Sequence, residues 1–315
     1  MNKKKLIILT GPTAVGKTSL SVELAKEIGG EIISADSMQV YKYMDIGSAK
    51  ITPDEMQDIP HHLVDILDPK EEFNVFLFQK LAKEAMANIY ANGHIPILVG
   101  GTGFYIQSVL YDIDFTDNDA DTPYRAELEQ LAAEKGANYL HNMLKKVDAE
   151  SAQTIHANNV KRVIRALEYY KLTGMPISEH NRTERDKESP YDFCYFVLND
   201  DRAKLYERIE QRVDLMVADG LVEEVQRLKD MGLDRSYISM QGLGYKEILA
   251  YLDGEYDLGH ALYLIKRDTR HFAKRQLTWF RREREVIFIN KPDFDYDNRK
   301  ILDYMKSKIK NANED

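Results

Sequence analysis

Gly11-Pro12-Thr13-Ala14-Val15-Gly16-Lys17-Thr18 matches the pattern G-x-x-x-x-G-K-[ST], whose residue types together can hold a polyphosphate. Glycines let successive backbone N–H groups curl around phosphate oxygens, and the start of a helix adds partial positive charge. Lys17 can bridge the oxygens, and the Thr18 hydroxyl can ligate Mg²⁺. The pattern requires a strand before it and a helix after it. Leu6-Ile7-Ile8-Leu9 is a continuous apolar run, and Leu20, Leu24 and Ile28 recur at four-residue spacing, so both are present.

Phosphate binding does not by itself settle the reaction. P-loop enzymes that hydrolyse or transfer a phosphoryl group place an acidic Mg²⁺ partner after a neighbouring apolar strand. Here the apolar run 95–99 enters Gly100-Gly101-Thr102-Gly103 with no carboxylate, which leaves Asp36 and Asp65 as candidates. Asp36 follows the run 32–35, at the end of a strand beside the P-loop, where open α/β sheets bind ligands. With Ser37, Gln39 and Tyr41 it forms a polar cluster and is a candidate general base; a turn or cap aspartate is the competing reading.

A second set of residues suits a phosphate backbone. Residues 266–284 hold eight basic against two acidic side chains, with Arg267, Lys274 and Arg281 recurring every seventh residue on one helical face. Ile265, Phe272 and Trp279 recur on another face and read as core. Lys161, Arg162 and Arg165 stand opposite Val163, Leu167 and Tyr170 in a second such helix. Concentrated basic stripes in a chain of net charge −9 suggest a nucleic-acid ligand, against the plainer reading of solvated helix faces.

These residues need a scaffold of strands alternating with helices. Strand signals at 6–9, 31–35, 62–66 and 95–99, with a helix at 73–90, predict a parallel, doubly wound α/β sheet of the P-loop NTPase type. From 121 to 190 strand character disappears. Helical segments at 125–135, 139–146 and 160–172 predict an inserted all-helical domain that leaves through a mixed-charge loop at 180–190. A strand at 195–198, helices at 202–231, 244–252 and 258–284, and a strand at 286–289 follow. The predicted domains are therefore a core, 1–120 with 191–315, and an insertion, 121–190.

Composition narrows the classes further. At about 150 residues per domain, 315 residues suit two domains, and 43% hydrophobic residues suffice for a core. No apolar run approaches the roughly 18 residues of a membrane-spanning helix, and the basic opening at residues 1–5 lacks the apolar stretch of a signal peptide. The lone Cys194 forms no internal disulfide, and neither Cys-x-x-Cys nor His-Glu-x-x-His occurs, so a cytoplasmic protein without structural zinc is expected.

Beyond the P-loop, the chain carries Ser34-Ala35-Asp36-Ser37-Met38-Gln39-Val40-Tyr41, Asp45-Ile46-Gly47-Ser48-Ala49-Lys50, Pro60-His61-His62-Leu63 and Gly100-Gly101-Thr102-Gly103-Phe104-Tyr105. Later come Lys161-Arg162-Val163-Ile164-Arg165-Ala166-Leu167-Glu168, Gln241-Gly242-Leu243-Gly244-Tyr245-Lys246 and Lys274-Arg275-Gln276-Leu277-Thr278-Trp279. In this order the motifs resemble the tRNA dimethylallyltransferase, or isopentenyl-tRNA transferase, family over nearly the whole chain. Val15, where serine is usual, and Tyr43, where glycine is frequent, depart from the pattern at positions without a chemical role.

The resemblance implies transfer of a dimethylallyl group from dimethylallyl diphosphate to N6 of the adenine 3′-adjacent to the anticodon of a tRNA. It implies that residues 11–18 hold the donor diphosphate with Mg²⁺, that Thr13, Lys17 and Arg212 serve the leaving group, and that Asp36 takes the N6 proton. It places Asp36, Ser37, Met38, Gln39, Thr102, Arg125, Lys161, Arg162, Arg165, Gln241, Gly242, Tyr245, Lys246, Arg270, Lys274, Arg275 and Gln276 against the tRNA anticodon stem-loop. A monomer without a membrane partner is expected. The alternative is a P-loop kinase of a nucleotide or small metabolite, which leaves the basic stripe at 266–284 unexplained.

Overall fold

The apolar run at residues 6–9 becomes the middle of a sheet. In the computed structural model, which describes residues 3–115 and 123–311, the chain begins β1 (Lys4–Thr10), α1 (Lys17–Ile28), β2 (Gly30–Ser34), α2 (Pro53–Met56) and β3 (His61–His62). It continues through α3 (Val75–Ala91), β4 (Ile95–Gly100) and α4 (Gly103–Leu110). Five helices follow: α5 (Pro123–Lys135), α6 (Ala137–Val147), α7 (Ala149–Thr154), α8 (Val160–Thr173) and α9 (Ile177–Asp186). The last part is β5 (Tyr191–Asn199), α10 (Arg202–Ala218), α11 (Leu221–Asp230), α12 (Tyr245–Leu252), α13 (Leu258–Phe280), β6 (Val286–Asn290) and α14 (Asn298–Asn311).

The described strands form one parallel sheet in the order β3-β2-β4-β1-β5-β6. Leu6, Ile7, Ile8 and Leu9 are each 0% exposed, as expected where helices cover both faces, and each such side chain contributes roughly 1.5–3 kcal/mol. Side chains fix the helix starts: Asn74 accepts from Leu77 N at α3, Asp201 from Ala203 N and Lys204 N at α10, and Asp257 from His260 N at α13.

Two compact units result, Met1–Leu110 with Pro190–Asp315, and Tyr111–Ser189. The predicted domain start at 121 lies outside the described residues. Within the second unit, Leu128, Leu140, Leu144, Val163 and Leu167 form a core of their own.

Three sequence expectations need correction. The strand expected at 62–66 stops after His62, because Leu63 and Asp65 take positive φ of 62° and 56°. The helix expected at 202–231 breaks in two at Gly220, whose φ of 100° no helix accommodates. The loop expected at 180–190 is largely helix α9. There the buried Asp148 accepts from the backbone and hydroxyl of Ser178, and the buried Glu184 accepts from Asp114 N, which the polar composition concealed.

Candidate active site

Strand register gathers the site. Thr10 of β1 lies opposite Gly100 of β4, and Ser34 of β2 opposite Val99. The P-loop, the turn after Ala35 and the segment 100–102 therefore leave the sheet side by side at its C-terminal edge. Ala35 N donates to Val99 O at 2.8 Å and Thr102 N to Ala35 O at 3.3 Å, which ties the last two together.

Within the P-loop, Gly11, Pro12 and Val15 are buried and Gly16 and Thr18 exposed. Lys17 Nζ donates to the carbonyls of Gly11 and Pro12 at 3.0 and 2.9 Å. The N-cap of α1, Gly16, offers no side-chain acceptor, so the first turn keeps its N–H groups for an anion. Gln276, expected against tRNA, has a different task. It is 6% exposed, its Oε1 accepts Thr13 N at 2.9 Å, and its Nε2 donates to Gly101 O at 3.0 Å, so α13 braces the P-loop. A Cβ at residue 101 would lie 2.1 Å from that amide nitrogen, which explains the glycine. Lys291 donates to Val15 O at 3.3 Å from the other end of the sequence, a contact no sequence signal announces.

A cavity of about 730 Å³ opens beside the loop, a size suited to small-ligand sites. Thr13, Lys17, Thr18, Asp36, Ser37, Met38, Gln39, Thr102 and Arg212 all line it, so the structure brings the two ends of the expected chemistry into one space. Arg212 is no ordinary surface arginine. Burial holds its guanidinium below the usual range, partly offset by the charges of Asp36 and Glu55. Burial likewise lowers Lys17 to about 8, assisted by repulsion from Arg212 and opposed by Asp36. Two desolvated cations facing each other are matched by a polyanion.

Asp36 makes the turn of the competing reading and also lines the cavity. Its Oδ1 accepts from Met38 N at 2.8 Å and Gln39 N at 3.4 Å, making a tight turn, while the residue also faces the cavity. The second acidic candidate does not reach the cavity: Asp65 pairs with the buried Lys50, which also holds Asp45. Among the described residues no group of three or more His, Cys, Asp or Glu side chains is placed to hold a metal ion. Thr18 is the candidate protein ligand for Mg²⁺, and a cation that keeps most of its waters and binds phosphate oxygens suits so sparse a set. Phe73, Tyr105, Ile209 and Phe272 form apolar wall, a place that residue types alone did not announce, Phe272 having read as core.

The basic stripes are partly committed to other partners. Lys274 and Arg275 are exposed on α13, whereas Arg270 pairs with Glu210 at 2.6 Å. Gln241 and Lys246 are exposed and Gly242 lines the cavity beside Met38, but Tyr245 is 0% exposed and presents no surface to RNA. In the helical unit Lys161 and Arg162 are exposed and Arg165 half-buried on α8, while Arg125 donates through Nε and Nη2 to the buried Glu168 at 3.0 and 2.9 Å. Trp279, read as core, is 37% exposed and stands edge-on to Phe104.

Burial pushes the Glu283 carboxyl up from 4.5 to about 7, against the pull of a hydrogen bond from Trp279 and of nearby Arg284. Between those values the folded chain holds a proton that the unfolded chain has released, so stability falls as pH rises through the window. In thermal melts from pH 4.5 to 7, Glu283→Gln flattens this part of the profile. An unchanged slope contradicts the assignment.

A model of the family described as IPP transferase matches residues 39–283, and one described as isopentenyl transferase matches residues 4–68. A tRNA dimethylallyltransferase from Lachnoclostridium phytofermentans is 63% identical over 301 residues, covering 96% of each chain. The full-length tRNA isopentenylpyrophosphate transferase of Bacillus halodurans superposes with a TM-score of 0.75 at 46% identity, covering 99% of both chains. A eukaryotic dimethylallyltransferase, solved acting on tRNA, superposes with a TM-score of 0.79 at 30% identity, covering 91% of this chain and 74% of its own. With a phosphate loop and a carboxylate sharing one cavity and relatives aligned end to end, the chain belongs to the tRNA dimethylallyltransferase (IPP transferase) family.

Proposed function

We propose that the protein transfers the dimethylallyl group of dimethylallyl diphosphate to N6 of the adenine 3′-adjacent to the anticodon of a tRNA. The observation that carries this is the shared cavity, with Lys17, Thr18 and Arg212 at one side and Asp36 with Ser37, Met38 and Gln39 at another. The donor diphosphate lies on the P-loop, where Thr13, Thr18, Lys17 and Arg212 neutralise the charge that develops on its bridging oxygen. Thr18 would hold Mg²⁺ here, and the ion when bound would supply further positive charge to that leaving group. N6 forms a bond to C1 of the donor as the C1–O bond breaks, diphosphate departs with the bonding pair, and Asp36 takes the N6 proton. The N6 lone pair is delocalised into the purine, so removal of the proton as attack proceeds lowers the barrier.

An adenine inside the anticodon stack cannot reach such a cavity and must be extruded into it. The exposed cations grip flanking phosphates, Lys274 and Arg275 on the core and Lys161 and Arg162 on the helical unit, with the half-buried Arg165 beside them. Replacing Lys274 and Arg275 together by alanine raises the tRNA dissociation constant about tenfold and reduces the slope of log K against log salt by about 1–2. An unchanged slope in filter binding places the RNA elsewhere.

The direct test incubates the protein with unmodified tRNA, Mg²⁺ and either dimethylallyl diphosphate or ATP, followed by nucleoside mass spectrometry. Gain of one dimethylallyl group on adenosine with the prenyl donor alone supports the transferase. No gain, with ATP consumed on a small acceptor, supports a kinase instead.

A further inference from the structure

Four consecutive backbone N–H groups converge on one buried carboxylate and its phenol partner. Glu224 of α11 is 1% exposed; its Oε2 accepts from Asp45 N and Ile46 N at 2.9 Å each, and its Oε1 from Gly47 N at 3.1 Å. Tyr245, at the start of α12, donates its hydroxyl to the same Oε1 at 2.8 Å and accepts Ser48 N at 3.1 Å. Successive amides curved in this way form an anion nest, and here the anion belongs to the protein itself. The approach requires glycine at 47, where a Cβ would lie 2.6 Å from the Tyr245 ring.

The turn held by this nest is also a wall of the cavity, through Gly47, Ser48 and Ala49. Ala49 O accepts from Gln39 Nε2 at 3.1 Å, and Gln39 Oε1 accepts the Ser34 hydroxyl at 3.0 Å. The backbone of Gln39 in turn donates to Asp36 Oδ1. Contacts therefore run without a gap from Glu224 through 45–49 to Gln39, whose backbone closes the Asp36 turn. The P-loop has its own brace in Gln276, which bonds Thr13 and Gly101 and touches none of these groups. A buried carboxylate is costly unless fully hydrogen-bonded, and this one has four donors, so it holds the turn firmly in one geometry.

We propose that Glu224 and Tyr245 are a positioning pair for the acceptor purine, fixing the 45–49 wall so that Gln39 and the Asp36 turn meet the base in a single orientation. This rests on the acceptor reading given above. The pair touches neither substrate and acts through Gln39. It accounts for a buried tyrosine in a stretch otherwise suited to RNA contact.

Steady-state kinetics of Glu224→Gln and Tyr245→Phe test it, with the anticodon stem-loop and dimethylallyl diphosphate varied separately. The isosteric Tyr245→Phe loses one hydrogen-bonding hydroxyl and should lower kcat/KM for the stem-loop about threefold. Glu224→Gln loses charge-assisted bonds and should lower it about tenfold or more. In both, the KM for dimethylallyl diphosphate stays within about twofold of wild type, a split that general loosening of the fold does not produce. Equal losses for both substrates, or an unaltered acceptor kcat/KM, overturn the proposal. Should Glu224→Gln not fold, Tyr245→Phe, whose ring still fills the core, decides by the same criteria. An inactive wild type overturns the function itself, whereas an active wild type matched by Tyr245→Phe overturns only the positioning role.

Discussion

Asp36→Asn lowers the single-turnover rate about a thousandfold while tRNA affinity changes by less than about threefold. The asymmetry follows from how the carboxylate is used. One oxygen accepts Met38 N at 2.8 Å and Gln39 N at 3.4 Å, and the amide oxygen of asparagine can take over both bonds, so the turn that presents Ser37, Met38 and Gln39 survives. The amide cannot accept the N6 proton. Rates with saturating stem-loop, and filter binding without donor, separate the two effects. Near-normal turnover removes Asp36 as the base, and a parallel loss of affinity makes it a turn residue only.

Lys17→Met lowers kcat/KM for dimethylallyl diphosphate about 10²–10³-fold without weakening tRNA binding, yet the ligand-free variant melts no lower than wild type. In the free protein the lysine is desolvated and repelled by Arg212, which is why it sits near 8 instead of 10.5. At neutral pH its charge is therefore destabilising until a diphosphate arrives, and the thioether chain removes that cost while filling the same space. Two bonds to the carbonyls of Gly11 and Pro12 are the offsetting loss. Donor titrations and melting curves check both halves. A tRNA affinity that falls as much as the donor's would contradict separate sites for the two substrates.

Most of the core strands and the longer helices were legible because they are short apolar runs and apolar stripes, whereas α2, α4, α7 and α14 went unread. β1 and β4, buried on both faces of the sheet, left nearly unbroken apolar segments. Where polar groups are buried with partners, the pattern misled: α9 read as a loop because its ties to Asp148 and Asp114 join residues of ordinary polar character. Trp279 read as core because a seven-residue repeat with Ile265 and Phe272 marks a helix face, not what covers it.

The phosphate loop was the most secure reading, since eight contiguous residues supply the whole device through their own backbone. Arg212 entered only through resemblance; what makes it distinctive, burial beside Lys17 and Asp36, exists only in the folded chain. What the two braces bond lay outside any motif's reach. Gln276 meets Thr13 across 263 residues, and Glu224 meets Asp45 across 179. By itself the sequence determined which groups are available and the local elements that carry them, because period, turn chemistry and backbone conformation are local properties. The tertiary structure alone decided which of those groups face the cavity and which are taken up in holding it, because hydrogen bonds and burial depend on neighbours that strand order brings together from distant parts of the chain.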